Sequence, residues 1–133
     1  MQLNLLRQFI FIIAALLAVN VSWGHHAMLG YDFELDKPLR GRITAVQWIN
    51  PHCLMRLSVQ DENGRSVEWE VEFGTPNLNL RNGWRKTDLR PGDSIAMVVH
   101  PLKSGEPRAT LVSMRHADGR TLYGQGSDRV AQK

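Results

Sequence analysis

The sequence predicts an all-β domain with one short helix, folded as a small five-stranded barrel of the OB type. Five segments combine β-branched and aromatic residues with alternating apolar and polar side chains. Turn signals separate these segments, and the one helical signal lies between the third and the fourth of them. That order is the order of an OB barrel, although a β-sandwich with one helix would also account for it.

The first strand is predicted at residues 39–49 from its β-branched and aromatic content. Gly41 would allow the sharp coiling that closes a small barrel. The apolar alternation changes face in the middle, which predicts a bulge near Thr44 or Ala45. The other strands are predicted at residues 53–60, 66–73, 94–100 and 109–116, followed by a short one at 121–123.

The third strand has the cleanest pattern in the chain, with four apolar residues alternating with three glutamates. The glutamates are Glu68, Glu70 and Glu72. Because like charges two residues apart repel one another and are best kept in water or opposite arginine, we interpret them as a solvated face rather than an acidic site. A helix should follow, with Thr75 as its N-cap, Pro76 in its first turn and Gly83 after its end.

The N-terminal segment is predicted to be a secretory signal peptide. Arg7 gives a positive start, and residues 9–21 form an apolar run of thirteen residues. This run is shorter than the roughly 20 residues that a membrane-spanning helix needs. The small residues Ser22 and Gly24 fit a cleavage site. We therefore expect cleavage after Gly24 and a periplasmic or secreted protein, with an uncleaved N-terminal anchor as the alternative.

Cleavage would divide the chain into a signal peptide, an OB-like barrel and a flexible tail, at residues 1–24, 25–123 and 124–133. Sixteen Lys and Arg against thirteen Asp and Glu give a net charge of +3, and loss of Arg7 lowers it to +2. This charge is too weak to indicate nucleic acid as a partner. Cys53 is the only cysteine, so no internal disulfide can form. Packing is the favoured interpretation of this thiol, with a soft ligand for Cu(I) as the alternative.

Several stretches together resemble a family of small exported bacterial proteins classed as a domain of unknown function. They read HHAM, YDFELDKP, GRITAVQWINPH, VEWEVEFGTPNLNLRNGW and LRPGD. The matching motif residues are His25, His26, Trp48, Asn50, Pro51, His52, Gly83 and Trp84. The resemblance implies export and a compact β-rich domain, and it carries no settled activity. This chain departs from the pattern at Cys53, where the family usually has an apolar residue, and at His100, where a small one is expected.

The two adjacent histidines suggest a copper site. If cleavage follows Gly24, the α-amine and Nδ1 of His25 can close a chelate ring on one metal ion. The α-amine has a pKa near 8, so it loses its proton more readily than a lysine does. A third nitrogen would complete a set that suits Cu(II), with His52 as the best candidate and His26 as the second. The alternative is that the two histidines only form a disordered, soluble amino terminus and that His52 caps a turn.

Two other functions stay open. A metal-free module could use Trp48, Asn50 and Trp84 to bind an exported partner protein or a small molecule. A copper-dependent oxidative enzyme built on His25 is the last choice, because nothing in the sequence marks a substrate surface. No nucleophile–base spacing and no glycine-rich phosphate loop is recognisable, so the chain looks more like a binding domain than an enzyme. His100 and His116 are expected to be exposed residues at strand ends.

Overall fold

The structure is a computed structural model that describes residues 30–127. The predicted signal peptide, His25 and His26 lie outside the described residues, as does the chain from residue 128 onward. The elements in chain order are β1 (Lys37–Gln47), β2 (Leu54–Gln60), β3 (Ser66–Glu72), α1 (Pro76–Arg81), β4 (Ser94–Pro101), β5 (Arg108–Arg115) and β6 (Thr121–Tyr123). Every predicted strand is present, with bounds that differ by about two residues at most. Within residues 30–127, no helix has the length and apolar character that crossing a membrane requires.

The strands close into a five-stranded barrel. Strand β1 pairs antiparallel with both β2 and β4, β2 pairs with β3, and β4 pairs with β5. A short parallel pairing of β3 with β5, from Glu70↔Arg108 to Glu72↔Thr110, completes the ring. With α1 between β3 and β4, this is the OB arrangement, so the predicted fold class is confirmed. Strand β6 pairs antiparallel with the last part of β5, from Ser113↔Tyr123 to Arg115↔Thr121.

The middle of β1 contains the predicted irregularity. Its register against β2 shifts between Ile43 and Ala45, which is the position expected for the bulge. Gly41 lies close against β2, and a Cβ there would lie 2.8 Å from the carbonyl oxygen of Ser58. The lack of a side chain at this position therefore allows the close approach of β1 to β2.

Helix α1 begins as the sequence predicts. Thr75 Oγ1 accepts a hydrogen bond from the N–H of Leu78 at 3.2 Å, and Pro76 is the first helical residue. The helix ends at Arg81, and Gly83 follows with a φ of 88°. The next residue, Trp84, enters the core and donates its indole N–H to the carbonyl of Tyr123 at 3.0 Å. The helix and its end thus place a large aromatic residue inside the barrel.

The segment predicted to be a flexible tail begins with residues that lie against β5. The N–H of Gly124 donates to Val112 O at 3.0 Å, and the N–H of Gly126 donates to Leu111 O at 3.1 Å. Gly124 is buried, and Ser127 is only 8% exposed. Residues 124–127 therefore continue the packed structure beyond β6.

An ionic cluster joins the loop before β4 to the turn between β5 and β6. Asp88, whose side chain is 3% exposed, receives the Arg120 guanidinium at 2.6 Å and the N–H of Arg85 at 2.8 Å. Arg120 also pairs with Asp118 at 2.7 Å and donates to the carbonyl of Gly83 at 2.8 Å. His116 Nδ1 lies 2.9 Å from Asp118 Oδ1. These contacts fix the loop that follows α1 to the turn between β5 and β6.

The cluster should make the stability of the protein sensitive to acid. Burial disfavours the charge of Asp88, but hydrogen bonds from Arg120 and Arg85 outweigh it and hold its pKa below the usual value. The Arg120 N–H and guanidinium also lower the pKa of Asp118. In the unfolded chain both carboxyls regain a pKa of about 3.9 and bind protons more strongly than the folded protein does. The stabilisation that these two carboxylates contribute is therefore fully present above that value, and it is lost as the pH drops below about 4.

Urea unfolding measured between pH 7 and pH 3 checks this expectation. The midpoint should fall steeply below about pH 4, and Asp118→Asn should reduce that dependence because one of the two carboxyls is removed. A wild-type midpoint that stays constant down to pH 3 would contradict the role of these carboxylates.

Candidate functional site

The loop between β1 and β2 presents the residues of the Asn-Pro-His motif. Trp48 is half-buried with its ring edge-on to Phe73, the centroids 5.5 Å apart. Its indole N–H is buried and has no hydrogen-bond partner. Ile49, 48% exposed, and Asn50 then reach the surface, and the Asn50–Pro51 peptide bond is cis. The loop therefore joins a core aromatic residue to an exposed tip.

His52 ends this loop beside the last residue of β3. Backbone hydrogen bonds from Cys53 N–H to Gly74 O (2.7 Å) and from Phe73 N–H to Cys53 O (3.0 Å) set the two chains side by side. His52 Nδ1 lies 3.2 Å from Glu72 Oε2. The oxygen is buried and accepts no well-aligned hydrogen bond, so the two groups lie close together without a hydrogen bond between them. Because Nδ1 faces the carboxylate, Nε2 is the nitrogen left for other partners.

Arginines from neighbouring strands surround the glutamates of β3. Glu70 pairs with Arg56 of β2 at 3.5 Å and with Arg108 of β5 at 3.2 Å. Arg108 also lies 3.8 Å from Glu72 Oε1. Of the three glutamates, Glu68 alone is exposed, whereas the Glu72 side chain is 12% exposed. The predicted solvated face is thus wrong for Glu72, because the parallel β3–β5 pairing brings Arg108 across it.

Tyr31 brings the start of the described chain to the same place. It is 3% exposed and forms a bridge with Leu102, while the N–H of Asp32 donates to Pro101 O at 2.8 Å. Burial raises the pKa of Tyr31, and the charge of Glu72 and a hydrogen bond to it raise the pKa further. Glu72 is therefore shared between Tyr31, Arg108 and His52.

The predicted site residues have different positions. Trp48, Asn50 and His52 lie on one loop, whereas Trp84 is 2% exposed inside the barrel, 5.1 Å from Phe73 between ring centroids. The predicted metal ligands His25 and His26 fall outside the described residues. Among residues 30–127, no group of three or more His, Cys, Asp or Glu side chains could hold a metal ion. His52 is thus the one predicted ligand whose surroundings can be described.

Cys53 and His100 show how the two departures from the family pattern are accommodated. Cys53 is fully buried, which confirms packing, and burial raises the pKa of its thiol. His100 was expected to be exposed, and this is wrong, since it is 7% exposed. Its Nδ1 lies 3.1 Å from Leu35 O, and its ring packs edge-on against Phe33 at 5.3 Å. The lead-in before β1 covers His100, which strand periodicity alone does not reveal.

Tyr31, Glu72 and Arg108 are the members of this site that sequence reasoning missed. Tyr31 lies in a segment without periodicity, and Glu72 has the same alternation as its exposed neighbour Glu68. Arg108 begins a strand far along the chain. Their meeting depends on strand pairing, so no local signal identified them.

Comparison with known proteins finds a match to a protein family. The model of a family of unknown function, DUF6152, matches residues 14–111. The chain belongs to this family. The DUF6152 match includes the loop with Trp48 and His52, as well as Tyr31, Glu72 and Arg108. It also includes His25 and His26. Neither a curated protein nor a solved structure matches the chain.

Proposed function

We propose that the mature protein is an exported, periplasmic binding domain that holds Cu(II) through the amino-terminal His25, with His52 as the third nitrogen ligand. The proposal rests on processing after Gly24, which frees the α-amine of His25. A carrier or sensor of copper is the role that fits such a site. His26 is the second candidate for the third ligand.

The observation that carries the proposal is the contact between His52 and Glu72. A histidine that binds a metal through one ring nitrogen usually directs the other to a carboxylate or carbonyl, which fixes the ring and its tautomer. His52 Nδ1 is 3.2 Å from Glu72 Oε2, and the His52 side chain is 27% exposed. The ring is thus partly exposed with Nδ1 toward Glu72, and Nε2 is the nitrogen that would face an ion.

The surroundings of Glu72 also favour a fixed ring. Arg108 lies 3.8 Å from the other carboxylate oxygen, and Tyr31 hydrogen-bonds to the same group. The carboxylate is therefore held on several sides before any ion binds, so little ordering would remain at His52.

Chain length permits His25 to take part. Six residues of chain lead from His25 to Tyr31. Fully extended, they span at most about 20 Å. Because Tyr31 contacts Glu72 and Glu72 contacts His52, the histidine pair begins within a short length of chain from the proposed third ligand.

Copper titration of the exported protein tests the proposal. Mass spectrometry should give His25 as the first residue, and the protein should bind one Cu(II). We expect His52→Ala to weaken binding by about 10-fold or more, because one of three nitrogens is lost. Electron paramagnetic resonance should show the loss of one nitrogen coupling.

His26→Ala is the matched control, since it removes the neighbouring histidine and keeps the amino-terminal chelate. It should bind copper like the wild type. If His26→Ala weakens binding while His52→Ala does not, the third ligand is His26. If the wild-type mature protein does not bind copper, the proposal fails.

A second candidate function is a metal-free binding module built on the β1–β2 loop. The buried, unpartnered N–H of Trp48 and the exposed Ile49 and Asn50 favour it. A ligand or partner protein at this loop should bind equally well to the protein with and without copper. The Asn50→Ala substitution should lower the affinity for that ligand or partner. A copper enzyme, the third possibility, would consume oxygen when the loaded protein is given a reductant.

A further inference from the structure

The barrel is open on the side where β1 separates from β2. Pairing of β1 with β2 covers Arg42↔Ser58 to Gln47↔Leu54. The first half of β1, from Lys37 to Gly41, pairs only with β4, and the end of β2 pairs only with β3. At Gly41 the two strands are still close, since a Cβ there would meet Ser58 O and Val59 Cγ2 at 2.8 and 2.9 Å, and before it they are no longer paired. The two strands thus diverge toward the β2–β3 hairpin and leave a cleft.

The floor of this cleft is apolar. Val59, Val67 and Trp69 point inward, yet each is only half-buried, and Val59 and Trp69 pack against the core. The cleft has a volume of about 510 Å³. Pockets for small ligands have volumes of about 300–1,000 Å³ and commonly lie at the mouths of β-barrels. The size and lining therefore suit a small apolar molecule.

A cation stands over this apolar floor. Lys37 is exposed and lies two residues before the buried Leu39 on β1. Its Nζ lies 5.8 Å from the centre of the Trp69 ring. Arg40 lines the rim of the same cleft. Within residues 30–127, neither cation has a carboxylate partner, so both are available to an anion.

The acidic residues near the rim do not cancel this charge equally. Asp61 is turned into its own hairpin, where it accepts hydrogen bonds from the N–H groups of Asn63 and Arg65 at 2.9 and 2.8 Å and from Arg65 Nε at 3.0 Å. Glu62 is exposed at the hairpin tip. Lys37 is therefore the cation over the apolar floor, and the carboxylate of Asp61 is already engaged within its own hairpin.

We propose that this cleft binds a small apolar carboxylate, with its hydrocarbon part on Trp69 and Val67 and its carboxylate on Lys37. The aromatic face and the two valines supply apolar contact, and the Lys37 ammonium supplies a charge-assisted hydrogen bond. This site is separate from the copper proposal, since none of its residues contacts His52 or Glu72.

Sodium octanoate is the probe, with 1-octanol and octylamine as matched ligands that differ only in head group. Binding to the full mature protein is followed by NMR of the Trp69 indole and by calorimetry. The expected order of affinity is octanoate, then octanol, then octylamine. Lys37→Gln should weaken octanoate binding by about 10-fold while leaving octanol unchanged.

Lys103→Gln, which removes an exposed lysine from the β4–β5 connection, is the control and should bind octanoate like the wild type. Equal or tighter binding of octylamine would overturn the proposal. It would also be overturned if octanoate left the Trp69 signal unchanged or if Lys37→Gln and Lys103→Gln behaved alike.

Discussion

Acetylating the α-amine of His25 is expected to lower the affinity of the mature protein for Cu(II) by about 100-fold or more, equivalent to about 2.7 kcal/mol. Acetylation turns the α-amine of His25 into an amide and adds no new amine. An amine with a pKa near 8 becomes a ligand at neutral pH, whereas a neutral amide nitrogen does not bind without losing a proton. The chelate ring of His25 would then be lost, although every side chain is kept.

The measurement is a competition titration of Cu(II) against a chelator, made on both forms of the protein. Their urea midpoints should be the same, because residue 25 precedes the described barrel. Equal copper affinity in the two forms would show that the amino terminus does not bind the ion. In that event the β1–β2 loop would remain as the candidate functional site.

Asp88→Ala is expected to lower the free energy of unfolding by about 2–3 kcal/mol. The Asp88 side chain is 3% exposed and receives the guanidinium of Arg120 and the N–H of Arg85. Removal leaves the N–H of Arg85 without its acceptor and breaks the ion pair that joins Arg120 to the loop before β4. For a domain of this size, the melting temperature should fall by about 10–20 °C.

Asp93→Ala is the control, because Asp93 is an exposed aspartate of the same loop, with backbone hydrogen bonds that the substitution keeps. Its urea midpoint should stay within the experimental error of the wild type. If Asp88→Ala and Asp93→Ala unfold at the same urea concentration, the cluster does not contribute to stability.

The sequence allowed the barrel to be predicted because its strands carry local signals. The alternation in β3, the change of face near Ala45 and the Thr75–Pro76 cap each depend on residues close together in the chain. Each corresponds to a feature of the fold: an inward row, a bulge and a helix start. Physical periodicity was therefore enough for the fold class.

The candidate site was harder to predict because it depends on pairing between distant segments. Glu72 meets His52 only through the loop at the start of β2, and it meets Arg108 only through the β3–β5 pairing. Tyr31 and the cover over His100 come from a lead-in that lacks any periodic pattern. These contacts are set by tertiary packing, which a pattern within one strand does not encode.

The parallel contact of β3 with β5 is the shortest seam of the barrel, with three paired positions, and it joins residues about 38 positions apart. Distant pairings form late, since loop closure must precede them, and the β1–β4 pairing joins residues that are 52 to 62 positions apart. Until then two strand edges stay uncovered, and each can recruit an edge from another molecule. A newly made chain is therefore most prone to self-association in the interval before its last seam closes.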